Sequence, residues 1–397
     1  MRRIGKWISI AVLLVAAGLV IAWATSPDPR GNPASFEDAP VEPTIALLDE
    51  ALTLAGYDAG GGSAATLLVT AFDGETITGV DLGAFGGGRT GDVLQDLASA
   101  DRTALTAERL ANLATVSVGI DQLLPAGSSG AWHIGTGTNF PEHAEESNSD
   151  SVFSFPKFGE ATPARTQVRG DPAVLLDYEV ELCMRFDRAV GSAEDFDAAV
   201  KGVFLCGDFT NRNALVEMAD PDNLDSGYGF SDAKSGPGSY PSGPFVVVPN
   251  DWSSFVADLR MTTAVNGEPR QDARGGEMTL DFRELAIKSL ADMSEARFFY
   301  DDGFTKLAPD GVISTEMTLM SGTSEGVIFT GPSRADYIEG VAAYFANGGP
   351  FSNVGLIDRA KQQFIANELA SKHFLQPGDI VRHDSNVLGN IEVTVVQ

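Results

Sequence analysis

Short apolar runs closed by glycine or proline recur along this chain, and they constrain its fold more than any other feature. Examples are 202-GVFLCGDFT-210, 243-GPFVVVPND-251 and 261-MTTAVNGEPRQ-271. Valine and phenylalanine suit a pleated surface, and the flanking Gly and Pro end each run before a helix can form. With 43 glycines, 20 prolines and 23 phenylalanines in 397 residues, many short strands and turns are expected. Helical patterns interrupt them at 280-LDFRELAIKSLADM-293 and 353-NVGLIDRAKQQFIANELASKHF-374, and 375–396 reads as a turn and strands. The fold class is therefore mixed α/β and β-rich, with helices packed on sheets.

Before Trp132 the texture differs. The stretch 45-IALLDEALTLAG-56 has helical spacing, with Ile45, Leu47, Leu48, Leu52 and Leu54 apolar. Next, 66-TLLVTAFDGETITGVDLGAF-85 reads as two strands around an Asp73-Gly74 turn, and 92–115 as one or two amphipathic helices. These divide the chain into a small N-terminal subdomain, 45–125, and a larger domain, 126–397. The stretch 26–44 is a Pro-rich polar linker. In residues 1–25, Arg2, Arg3 and Lys6 precede an uncharged apolar run, 7–24. That run is just long enough to span a bilayer, so the expectation is an uncleaved membrane anchor with the main domain exported to the periplasmic side. Ala22-Trp23-Ala24 would be the cleavage site if the segment were instead a signal peptide.

The formal charge of −28 argues against a nucleic-acid partner, because phosphate binding needs basic stripes. It reads as a solubility device, since the acid is spread along the chain. Cys183 and Cys206 are the two cysteines. Two do not make a disulfide framework, and they read as buried free thiols, although an exported chain could pair them.

The residues that could carry chemistry begin with 175-LLDYEVELCM-184, a buried strand in pattern that holds Glu179 and Glu181 two positions apart. Such a pair is usually a solvated face, but here its neighbours are apolar. Buried carboxylates need a counter-ion, a shared proton or a metal. Asp208, after the next apolar run, would complete a three-carboxylate site for a hard divalent cation, Mg2+, Ca2+ or Mn2+. Lys234 opens the Gly-Pro loop 234-KSGPGSYPSGP-244 and could supply a cation for an acidic substrate. His143 and Glu146, three apart, would share one helix face as a hydrogen-bonded dyad able to take a proton from water. The loop 321-SGTSEGV-327 offers backbone N–H groups to carboxylate oxygens. Taken singly, each of these has an ordinary structural explanation.

Their order along the chain resembles the fumarylacetoacetate hydrolase family: His-x-x-Glu, Glu-x-Glu, Asp with Arg212 four on, Lys-Ser before Gly-Pro, then Gly-Thr-x-x-Gly-Val. The connecting stretches 139-NFPEHAEE-146, 177-DYEVEL-182, 265-VNGEPRQ-271 and 375-LQPGDIV-381 are similar to that family's signatures too, and the resemblance covers about 130–397. It implies a β-sandwich roll, usually a homodimer, with Mg2+ (or Ca2+ or Mn2+) held by Glu179, Glu181 and Asp208. It also implies that His143, supported by Glu146, activates water, that Lys234 assisted by Arg212 stabilises an oxyanion or enolate, and that Thr323 and the Gly322 backbone hold substrate. The activity implied is hydrolysis of a C–C bond in a β-diketo acid such as an acylpyruvate. Relatives decarboxylate, hydrate or isomerise related oxo acids, and a non-catalytic oxo-acid-binding protein is a further alternative. Three features depart from the family pattern. Lys234-Ser235-Gly236-Pro237 stands for Lys-Ser-Phe-Asp, Arg212-Asn213-Ala214-Leu215 for Arg-Asp-x-Gln, and 331–372 reads as an insertion.

Overall fold

The computed structural model describes residues 2–149 and 151–397. It has the expected mixed, β-rich class. A ten-stranded sheet runs Val116–Gly119, Thr76–Asp81, Ala64–Phe72, Ala51–Asp58, Val246–Pro249, Lys201–Gly207, Val180–Phe186, Leu319–Thr323, Trp132–Gly137 and Phe153–Phe158. A five-stranded sheet runs Glu268–Arg274, Arg260–Val265, Ile380–Ser385, Asn390–Val396 and Arg165–Arg169. Strands of the 45–125 stretch thus continue directly into the large sheet, through the pairing of Ala51–Asp58 with Val246–Pro249.

Central in the large sheet, Val180–Phe186 is buried at every position, so both of its faces are covered. Val180, Leu182 and Met184 enter one apolar cluster. Cys183 enters another with Phe204, Cys206, Tyr240 and Met320. Burying side chains of this size contributes roughly 1.5–3 kcal/mol each, which is what lets the strand carry carboxylates at all.

The Asp73-Gly74 turn is present. Asp73 Oδ1 accepts from the Glu75 and Thr76 backbone N–H groups at 3.0 and 2.8 Å, and Gly74 takes a φ of +102°. The helical reading of 45–56 is overturned, because Ala51–Asp58 is a strand bonded on both sides. Leu54 and Ala55 are both fully buried, and their sheet partners on either flank override the local helical spacing. The inserted stretch forms an antiparallel-type pair of helices, Arg334–Ala346 and Leu356–Ser371. They approach closely at Gly340, where a Cβ would sit 2.7 Å from that of Ala360. The 26–44 stretch has no helix or strand and lies against the body of the protein. Asn32 Nδ2 donates to the Val327 and Phe329 carbonyls at 3.1 and 2.7 Å, and the Glu37 N–H to Asp272 at 2.8 Å.

Two expectations are corrected. Cys183 and Cys206 are not free thiols but a disulfide with a Cα–Cα distance of 6.0 Å. Antiparallel pairing sets Cys183 opposite Phe204 and Cys206 opposite Glu181, a diagonal offset within bridging range. The membrane anchor is corrected as well: among the described residues, no helix is long and apolar enough to cross a membrane. Arg2–Ala24 is helical, with Trp7, Leu13, Leu14 and Ile21 exposed. Its end is fastened to the inserted helices, where Trp23 Nε1 donates to Glu339 at 2.5 Å and Arg334 to the Thr25 carbonyl at 3.1 Å. The membrane partner and the periplasmic placement rested on that segment and fall with it. The side chains of Arg2, Arg3 and Lys6, the cationic flank, lie outside the described residues.

Candidate metal centre and cavity

Strand pairing explains why the three carboxylates meet. Val180–Phe186 runs antiparallel to Lys201–Gly207, with Val180 opposite Gly207 and Glu181 opposite Cys206. Each strand ends one residue short of an acid, so Glu179 and Asp208 face each other, and the Asp208 N–H donates to the Glu179 carbonyl at 2.9 Å. The long strand begins at Val180, so Glu179 stands at a break and not inside a straight strand as the pattern predicted. One carboxylate oxygen from each of Glu179, Glu181 and Asp208 lies within 4.8 Å of the others, and all three residues are buried.

Cations surround the cluster. Lys234 ends the short helix Phe230–Lys234, and its Nζ lies 2.6 Å from Glu179, 2.9 Å from Asp208 and 2.9 Å from Thr210 Oγ1. Arg212 donates to Glu179 at 2.8 Å and to Asp177 at 2.9 Å. Fully buried Lys157 donates to Asp208 at 2.7 Å and also to the Lys234 carbonyl. Glu181 has no cationic partner among the described residues; its Oε2 accepts the Gly322 N–H at 3.0 Å.

The two glutamates consequently titrate apart. Burial pushes the Glu179 carboxyl up, but Lys234 and Arg212 outweigh it and hold the group at about 2. Burial first, then Asp208 and Glu179, drives Glu181 well above the usual carboxylate range. A buried carboxylate lacking a cation, beside two others, is a donor set that fits a hard divalent ion.

His143 sits on the helix Pro141–Glu146, started by its proline, and its Nδ1 lies 2.8 Å from Glu146. The other Glu146 oxygen accepts the Gly326 N–H at 3.0 Å, which fixes the carboxylate and hence the imidazole. Thr323 Oγ1 donates to the Val180 carbonyl and accepts from Gln271, both at 2.9 Å. A cavity of about 440 Å³ is lined by His143, Glu146, Glu179, Arg212, Lys234 and Thr323, while Glu181, Asp208 and Gly322 stand behind that lining. The structure thus gathers the nine predicted residues in one place, six on the wall and three beneath it.

Sequence reasoning missed Lys157, Asp177 and Gln271. Asp177 is fully buried and accepts from Arg212 and from the Ile328 and Phe329 N–H groups at 3.0 Å. Lys157 had a signal, as a lone lysine in the aromatic strand Phe153–Phe158. Gln271 closes the signature-like stretch 265–271, but its role was hidden because its amide reaches Thr323 and Ser324 from the other sheet.

A family model described as the fumarylacetoacetate hydrolase C-terminal domain matches residues 132–396. An uncharacterized protein of Staphylococcus epidermidis is 30% identical over 166 residues, covering 39% of this chain and 50% of that protein. One of Staphylococcus aureus is 31% identical over 168 residues, covering 38% and 50%. The chain spans about half the length of the curated relatives it matches. Among solved structures, a fumarylacetoacetate hydrolase from Exiguobacterium antarcticum aligns with TM-score 0.53 and 16% identity, covering 87% of this chain and 99% of that one. A 2-hydroxyhepta-2,4-diene-1,7-dioate isomerase from Mycobacterium marinum aligns with TM-score 0.50 and 15% identity, covering 87% and 98%. These structural likenesses establish the fold and do not separate a hydrolase from an isomerase.

Proposed function

The chain belongs to the fumarylacetoacetate hydrolase family, and from that premise we propose that it is a metal-dependent enzyme that rearranges or breaks the carbon skeleton of an enolisable oxo acid. The observation that carries this reading is one cavity whose wall holds both the His143–Glu146 pair and the Glu179 edge of the three-carboxylate cluster. In this proposal Glu179, Glu181 and Asp208 hold Mg2+, Mn2+ or Ca2+, which when bound supplies electrophilic assistance to the substrate's oxygens. Lys234, with Arg212 behind it, favours negative charge developing in the cavity. Thr323, on the wall, and the neighbouring Gly322 backbone position the substrate.

Two reactions suit these groups. In isomerisation, a proton leaves one carbon of the enol system and another is delivered further along it, with the charge spread over the oxo-acid head. The likeness to the isomerase supports this at least as well as hydrolysis is supported by the likeness to the hydrolase. Decarboxylation needs the same charge stabilisation. In hydrolysis, His143 accepts a proton from water as its oxygen attacks the distal carbonyl. The C–C bond then breaks, its electron pair passes to the enolate carbon, and that carbon takes a proton back. The held dyad, with Glu146 fixed by Gly326, favours this second reading.

Purified protein with Mg2+ or Mn2+, assayed on acylpyruvates and on hydroxydienoates by loss of ultraviolet absorbance, tests the class. His143→Ala should abolish hydrolysis but leave isomerisation or decarboxylation largely intact. No metal-dependent turnover on any oxo acid would count against the whole proposal. The division into 45–125 and 126–397 and a homodimeric assembly belong to the same proposal; sedimentation checks the second.

A further inference from the structure

The lining of the cavity is of two kinds. His143, Glu146, Glu179, Arg212 and Lys234 bring charge to it, with Phe329 under the Arg212 guanidinium at 5.4 Å, whereas Leu215, Val216, Leu224, Phe230 and Tyr337 are apolar and Thr138, Ser147 and Asn148 neutral. One helix, Arg212–Met218, joins the two, since its first residue binds Glu179 and its middle residues line the apolar part. Tyr337 reaches the lining from the first inserted helix.

A second carboxylate on the substrate would find neither Arg212 nor Lys234 free. Arg212 is taken by Asp177 and Glu179, and Lys234 by Glu179 and Asp208. The remaining lysine of the lining, Lys361, has no carboxylate partner among the described residues, but it is held at 2.9 Å by the Glu217 carbonyl in the last turn of Arg212–Met218. It complements the negative end of that helix and ties the insertion to it. An apolar tail, by contrast, would shed water against the surrounding side chains.

We infer that the cavity selects an oxo acid whose end remote from the oxo-acid head is uncharged and apolar, with Leu215 and Tyr337 among the side chains that meet that end. This rests on the oxo-acid reading above. Each methylene buried should tighten binding by about fourfold.

Calorimetry with Mg2+ and three unreactive probes tests it: pyruvate, 2-oxooctanoate and 2-oxosuberate, the last two equal in chain length. 2-Oxooctanoate should bind at least tenfold tighter than either of the others. Leu215→Lys should cut its advantage over 2-oxosuberate at least tenfold. Exposed Tyr337→Ala, which threatens folding less, should weaken 2-oxooctanoate several-fold. Equal or tighter binding of 2-oxosuberate, lost in Lys361→Met, would assign the far end to a carboxylate and overturn the inference. Pyruvate binding without any preference between the tails also overturns it, yet leaves the oxo-acid reading standing. If none of the three binds, that reading fails and the inference fails with it.

Discussion

Two ion pairs of the same length show how differently this molecule uses charge. Lys157 meets Asp208 at 2.7 Å with both side chains fully buried, and Arg283 meets Asp197 at 2.7 Å with side chains 40% and 55% exposed. The first lies under the cavity, inside a net of Lys234, Glu179 and Arg212. The second links the helices Phe282–Ala291 and Ala193–Ala198 across open solvent. Water and salt screen the surface pair, so its loss is answered by solvation. Under the cavity no water substitutes, and removing one partner strands the other. Distance alone therefore says nothing about what an ion pair does; its surroundings decide.

The largest effect is expected from Lys157→Met, which leaves Asp208 with Lys234 alone and should cost about 3–5 kcal/mol in urea unfolding. Adding Asp208→Asn should recover part of that loss. A single variant as stable as the parent would put the buried pair on the same footing as the surface pair. Next, a chelator should lower the melting temperature, and Mg2+ or Mn2+ at a hundred times its Kd should restore about 2.7 kcal/mol. No response to metal would mean that Glu181 is satisfied by a proton alone.

Smaller, and separate from the cluster, is the effect of pH. Burial lowers His133 to about 4 and His383 to about 3, so both stay neutral in the folded protein where an unfolded histidine, near 6.5, takes up a proton. Their contribution is complete above about pH 6.5 and is lost as pH falls toward the folded values, by about 2 kcal/mol for each histidine at pH 5. Unfolding at pH 8 and pH 5 measures this, and His383→Gln should flatten the slope. The smallest effect is expected from Arg283→Ala, with no resolvable change in melting temperature at physiological salt. A clear drop would show that the surface pair is less screened than its exposure implies.

Much of the site was legible in the sequence because its acids stand in apolar company. Glu179 and Glu181 flank Val180 in an apolar run and Asp208 closes the next one, and the ordered motifs around them turned a pair that alone reads as a solvated face into a candidate site. Lys157 was not legible as a partner of Asp208, since the two are 51 positions apart and meet only when Phe153–Phe158 folds into place. The stretch 45–56 misled for a similar reason, because helical spacing is a local preference and strand pairing is not. The cysteines likewise revealed their number but not their register.

By itself, then, the sequence determined the class of the fold, the family and the chemistry of the acids, since apolar periodicity, turn residues and ordered motifs are local properties. The tertiary structure alone decided which cation answers which carboxylate, that Glu181 is left without one among the described residues, that the cysteines bridge, and that the inserted helices wall the cavity. Each of these depends on contacts between residues distant in the chain, and such contacts exist only once the sheets have closed around them.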